Sequence, residues 1–74
     1  MAETKYNWKG VPKEVQWMAT NEWGYAHHSS TKPRKMRSLG IGFWNGREVE
    51  LPMLFPHQNP YKGDWEDSLE ERPV

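Results

Sequence analysis

The sequence predicts a small α+β domain: a three- to four-stranded antiparallel sheet of two hairpins, with one short C-terminal helix docked on it. Two observations predict the sheet. Asn21-Glu22-Trp23-Gly24 and Asn45-Gly46 are turn sequences set between stretches rich in apolar and aromatic residues. A third predicts the helix: Asp64 is a capping residue, and Trp65-Glu66-Asp67 places acids in the first turn behind it.

At 74 residues the chain makes one domain. Residues 1–10 are expected to be flexible unless Trp8 finds a pocket, and residues 11–74 form the folded unit. A chain this short hides only about 60% of its unfolded surface, so it needs reinforcement. The absence of cysteine excludes disulfides and thiolate metal sites. Five Trp, three Tyr and two Phe are the remaining source of buried area.

Pro12 opens the first element. Either PKEVQWMA starts as a helical turn with Pro at its first position, or Val15 to Thr20 is a strand. The strand is favoured because the residues after it make a hairpin. If Asn21 to Gly24 all lie in the loop, Trp17 faces His28 and Ala19 faces Ala26. A bulged three-residue loop shifts that register by one and swaps the faces. Ser29 to Ser38 carries Pro33, four cations and a single apolar residue, Met36, and reads as a loop. Asn45-Gly46 then turns a second hairpin that pairs Trp44 with Arg47, Gly42 with Val49 and Gly40 with Leu51. Gly40 and Gly42 leave space for a neighbouring ring to lie across the backbone. Pro52, Pro56 and Pro60 prevent a regular element over 52–63, yet Met53, Leu54, Phe55 and Tyr61 are too apolar for a free linker. An irregular segment packed on one sheet face follows. In the C-terminal helix Trp65 and Leu69 pair at i, i+4 for docking, and Pro73 ends it.

Ten basic and ten acidic residues cancel, but they are segregated. Between Trp23 and Gly46 the only charges are Lys32, Arg34, Lys35 and Arg37, whereas acids dominate from Glu48 onward. The basic group, beside Phe43 and Trp44, has the ingredients of nucleic-acid contact; four cations in a solvated loop are also an ordinary surface. Glu66 and Glu70 belong to an acidic patch that suits a basic partner surface; a solvated helix face with acids favourably placed at its start is the alternative. Trp23 at a turn tip is the strongest protein-binding candidate, with the alternative that the tip folds back and buries the ring. Partner-binding residues are therefore Trp23, Lys32, Arg34, Lys35, Arg37, Glu66 and Glu70.

No catalytic residues are assigned. His27 and His28 are adjacent, so on a strand they point to opposite faces and cannot share a metal. Gly40-x-Gly42 lacks a third glycine and a following helix, and no serine sits in a nucleophile frame. No enzyme activity, cofactor or metal is expected. No apolar run approaches the roughly 20 residues of a membrane span, and MAETKYNWKG has no apolar signal core. A cytoplasmic protein without a membrane partner is expected.

Pro12-Lys13-Glu14-Val15-Gln16-Trp17-Met18-Ala19-Thr20-Asn21, with Gly24, Tyr25 and the later Lys32-Pro33, is similar to the opening of small uncharacterised tailed-phage proteins. These have a W-x-A strand and a Gly-closed turn. Trp65-Glu66-Asp67-Ser68-Leu69-Glu70-Glu71-Arg72-Pro73 resembles their W-x-x-S-L-x-x-R-P tail. The basic loop and residues 52–61 depart from that pattern. The resemblance implies a phage or prophage origin without enzyme activity, and it carries no functional residues. The expected function is that of a phage accessory protein that binds and inhibits a host protein, such as RNA polymerase or a defence enzyme, in the host cytoplasm. The alternatives are a nucleic-acid-binding module using residues 32–37 and a structural virion component.

Overall fold

The computed structural model describes residues 4–73, which contain five strands in two antiparallel sheets. β1 (Trp17–Thr20) is the centre of the first sheet, flanked by β2 (Ala26–Ser29) and β5 (Glu70–Glu71). β3 (Arg34–Ser38) and β4 (Ile41–Asn45) form a separate two-stranded ribbon.

The first hairpin has the bulged three-residue loop. Met18 lies opposite His28 and Thr20 opposite Ala26, while Asn21 N–H donates to Tyr25 O at 2.9 Å. Asn21 sets this loop: its Oδ1 accepts the Trp23 and Tyr25 N–H groups at 3.0 and 3.1 Å. Gly24 closes the loop at φ +95°, a conformation that costs glycine nothing. The register places Met18 and Ala26 in the core with Tyr6 and Val15, covered by Trp8, Val11, Val49, Leu51, Leu54 and Tyr61.

The second hairpin turns elsewhere than the sequence predicts. Leu39 (φ +52°) and Gly40 (φ +80°) form its two-residue turn, and Ser38 pairs with Ile41. Residues 34–38, expected as part of a loop, are a strand. Asn45-Gly46 is not a hairpin turn: a Cβ on Gly46 would stand 2.6 Å from Ser29 Oγ and 3.0 Å from Pro33 Cα. This glycine serves close packing, and the chain after it runs along β2. Ser30 N–H donates to Arg47 O (2.9 Å) and Val49 N–H to His28 O (3.2 Å), so Val49 cannot pair with Gly42. Farther on, Ala26 and Leu54 exchange two backbone hydrogen bonds of 3.0 Å, fixing the proline-rich segment over the sheet.

The expected C-terminal helix is only a 3₁₀ turn, Trp65–Asp67. Asp64 caps it as the sequence predicts, accepting Glu66 N–H at 2.9 Å. It stops at Ser68 because that side chain is fully buried and bonded to β1: its Oγ accepts Thr20 N–H at 2.8 Å. Glu70 and Glu71 then join β1 as a strand, which relieves the like-charge spacings a helix would impose. Trp65 docks against glycine instead of Leu69. Its ring occupies the place where a Cβ on Gly42 would stand.

The stretch 1–10 falls partly outside the described residues, at 1–3. From Thr4 onward it contributes Tyr6 to the core and hydrogen-bonds Trp8 Nε1 to Glu70 Oε1 at 2.7 Å.

Candidate functional site

Trp23 stands at the tip of the first hairpin and is 56% exposed, so the tip does not fold back to bury it. Three hydrogen bonds to Asn21 fix the backbone beneath it: two to the side chain and Gly24 N–H to Asn21 O at 3.0 Å. Glu22 ties the same turn to the ribbon, accepting Gly42 N–H on its carboxylate. The tip rests on the proline-rich segment, where a Cβ on Gly24 would meet Pro56 Cβ at 3.3 Å. Next to Pro56, Phe55 is 48% exposed and meets Tyr25 edge-on at 5.6 Å, with the His57 ring stacked at 5.9 Å. Met53, two residues before Phe55, is also exposed. Trp23 was visible in the sequence as a candidate; Phe55 and Met53 were not. Their signal was the apolar run Met53-Leu54-Phe55 between two prolines, which reads equally well as core.

Three of the four cations lie on a strand rather than in a loop; Lys32 alone stays in the connection before it. Arg34, Lys35 and Arg37 line β3, every residue of which is exposed. Alternation along the strand puts Lys35 and Arg37 on the face that carries Trp44 and Gly42. There Lys35 Nζ lies 5.8 Å from the Trp44 ring centroid, and the Arg37 guanidinium 5.8 Å from that of Trp65. Glu66 sits between them, 3.7 Å from Lys35 and 3.5 Å from Arg37. The structure thus brings Lys35, Arg37 and Glu66 into one exposed ion-pair group. Lys32 is elsewhere, 5.6 Å above Trp17, and Arg34 faces the other side of the ribbon with Met36 and Phe43. A phosphate approaching Lys35 and Arg37 would have to displace Glu66.

Glu70 has a structural position. Its carboxylate accepts Trp8 Nε1–H and Lys5 N–H, each at 2.7 Å, and so anchors the N-terminal segment. Arg72 is an anchor that sequence reasoning missed. Its guanidinium donates to the carbonyls of Val15 (2.7 Å), Val11 (2.9 Å) and Pro12, and covers the Trp8 ring.

Beneath β1 lies a buried polar chain. Asn59 Nδ2 donates to Thr20 Oγ1 at 2.9 Å, and Tyr6 OH donates to Ser68 O at 2.7 Å. Each hydroxyl has one proton, so the 2.8 Å contact between Thr20 Oγ1 and Tyr6 OH runs from Thr20 to Tyr6. The direction is uniform: amide to threonine to tyrosine to carbonyl. Burial pushes the Tyr6 phenol up to about 12.

His27 and His28 point to opposite faces. His27 Nδ1 is 3.3 Å from Glu48, and its Nε2 meets Asn21 Nδ2 at 3.2 Å. His28 borders a cleft of about 400 Å³ with Met18, Leu51 and Leu54, and burial holds its imidazole below the ordinary range. Among the described residues no group of three or more His, Cys, Asp or Glu is placed to hold a metal ion. No described helix is long and apolar enough to cross a membrane. Comparison with protein-family models, with curated proteins and with solved structures returns no match.

Proposed function

We propose that this chain is a non-enzymatic binding protein that seats on another protein through Trp23, with Phe55 and Met53 widening the contact. The observation that carries this reading is a large indole, 56% exposed, on a turn that its own hydrogen bonds hold fixed. Tryptophan dominates binding hot spots, and a turn backbone already held in place loses little freedom on docking. The resemblance of residues 12–25 and 65–73 to tailed-phage proteins implies a phage origin, and with the exposed Trp23 and the segregated charges it supports a host protein as the partner, RNA polymerase or a defence enzyme being the leading classes. The action would be inhibition in the host cytoplasm.

A pull-down from host lysate tests it. Wild type should retain one host protein in stoichiometric amount, and Trp23→Ala should weaken that binding roughly 30-fold, the cost of about 2 kcal/mol at a hot spot. Equal behaviour of the two proteins would remove Trp23 from the interface.

The cations of β3 favour a second reading, a nucleic-acid contact. It predicts binding that falls steeply with salt and is lost on reversing Arg34, Lys35 and Arg37. A gel shift at low salt decides it. A structural role in the virion would appear as this chain in mass spectra of purified particles.

A further inference from the structure

β3 is an edge strand whose outer side is open. In a ladder closed by a two-residue turn, Ser38–Ile41, Met36–Phe43 and Arg34–Asn45 are the hydrogen-bonded pairs. The N–H and C=O groups of Lys35, Arg37, Gly42 and Trp44 therefore point away from the ribbon. Contacts of Gly42 follow this rule, since its N–H donates to Glu22 Oε2 (3.2 Å) and its carbonyl accepts Glu22 N–H (3.4 Å). The corresponding groups of Lys35 and Arg37 have no partner among the described residues.

Lysine and arginine on an edge ordinarily guard it against added strands. Here they are drawn off the edge. Lys35 and Arg37 lie over Trp44 and Trp65 on the inner face and are held there by Glu66. No proline or bulge interrupts residues 34–38. On the outer face the ribbon presents Met36 (37% exposed), Ile41 (38%) and, at its tip, Leu39 (98%), with Phe43 opposite Met36.

We infer that the open edge of β3 accepts an extended acidic segment of a partner protein as a third strand. Main-chain hydrogen bonds from Lys35 and Arg37 would hold it. One set of its alternate side chains would lie beside Lys35 and Arg37, and the other beside Arg34, Met36 and Ser38. Charge selects the occupant. Lys35 and Arg37 share a single acid, Glu66, and Arg34 on the other face has no ion pair among the described residues, so the strip keeps a positive excess that an acidic strand neutralises. A second copy of this chain is the wrong occupant, because a two-fold pairing centred on Met36 puts Lys35 of each copy opposite Arg37 of the other, which is repulsive. The site lies apart from Trp23 and can fail separately from it.

The test is an amide-resolved NMR titration of the full chain with three short peptides: alternating Glu and Val, alternating Lys and Val, and the Glu/Val peptide N-methylated at alternate positions. Glu/Val should shift the Lys35 and Arg37 amides and slow their exchange, with affinity falling as salt rises. Methylation on the paired side should weaken it roughly tenfold, the loss of one or two main-chain hydrogen bonds. Lys35→Pro removes an outward donor while sparing the bonds to β4, and should bind about tenfold more weakly than Lys35→Ala. Trp23→Ala should bind as wild type does. Unmoved Lys35 and Arg37 amides, equal binding of Lys/Val, or the same shifts appearing on self-association without peptide would each overturn the proposal.

Discussion

Tyr6 joins an N-terminal residue to the last turn of the chain through one hydroxyl. Tyr6→Phe would leave Thr20 Oγ1–H and the Ser68 carbonyl unpaired in the interior, at a cost of about 1–3 kcal/mol. The same residue sets an alkaline limit. Its folded pKa is raised to about 12 from the ordinary 10.0, so the buried ring resists ionisation while the unfolded chain does not. Its contribution is complete below pH 10 and declines as pH rises through 10 toward about 12. Denaturant midpoints measured across that window should fall for wild type and fall less for Tyr6→Phe. None of this was legible in the sequence. Tyr6, Thr20, Asn59 and Ser68 lie far apart in the chain, and Thr, Asn and Ser are surface residues by type. Trp23 was legible because a tryptophan beside Asn and Gly is out of place in a turn.

Among the elements, the two hairpins show what turn chemistry can and cannot reveal. The first was readable because Asn21 and Gly24 serve the loop itself; the loop length, hence the register, stayed open, as did a helical start at Pro12, where the chain makes a single turn before β1. In the second, the Asn45-Gly46 signal misled because Gly46 is required by its neighbours Ser29 and Pro33 rather than by its backbone. The true turn was hidden behind Leu39, a residue poorly suited to positive φ. Leu39 is 98% exposed, so its side chain gives little packing in return. Leu39→Asn should therefore stabilise the chain by about 0.5–1 kcal/mol, read as a higher urea midpoint with unchanged slope. A drop in the midpoint would mean that Leu39 makes contacts that compensate for its backbone. The helix was misread for a related reason. Asp64 does cap a turn, but buried Ser68 diverts the chain into β1 after three residues.

For the whole molecule, β1 is the hub. It is flanked by β2 and β5, and Thr20 meets the N-terminal segment, the proline-rich segment and the tail. The chain spends its last residues on this arrangement: Trp65 fills the hollow at Gly42, Ser68 bonds Thr20, and Arg72 gathers the carbonyls of residues 11, 12 and 15. Deleting residues 64–74 should therefore abolish the fold rather than trim it, visible as collapse of amide dispersion and loss of near-ultraviolet tryptophan ellipticity. A truncated chain that kept both would show that β1 and β2 stand without the tail.

The placement of Thr20 also bears on how the molecule breathes. Its N–H is handed to Ser68 and its side chain to two other stretches, so freeing that single proton means parting segments drawn from the whole length of the chain. In deuterium exchange this amide should be among the last to be replaced, at a rate set by full unfolding, while Lys35 and Arg37 trade theirs quickly. A molecule this small would then open in one step, with a rigid heart and a loose rim.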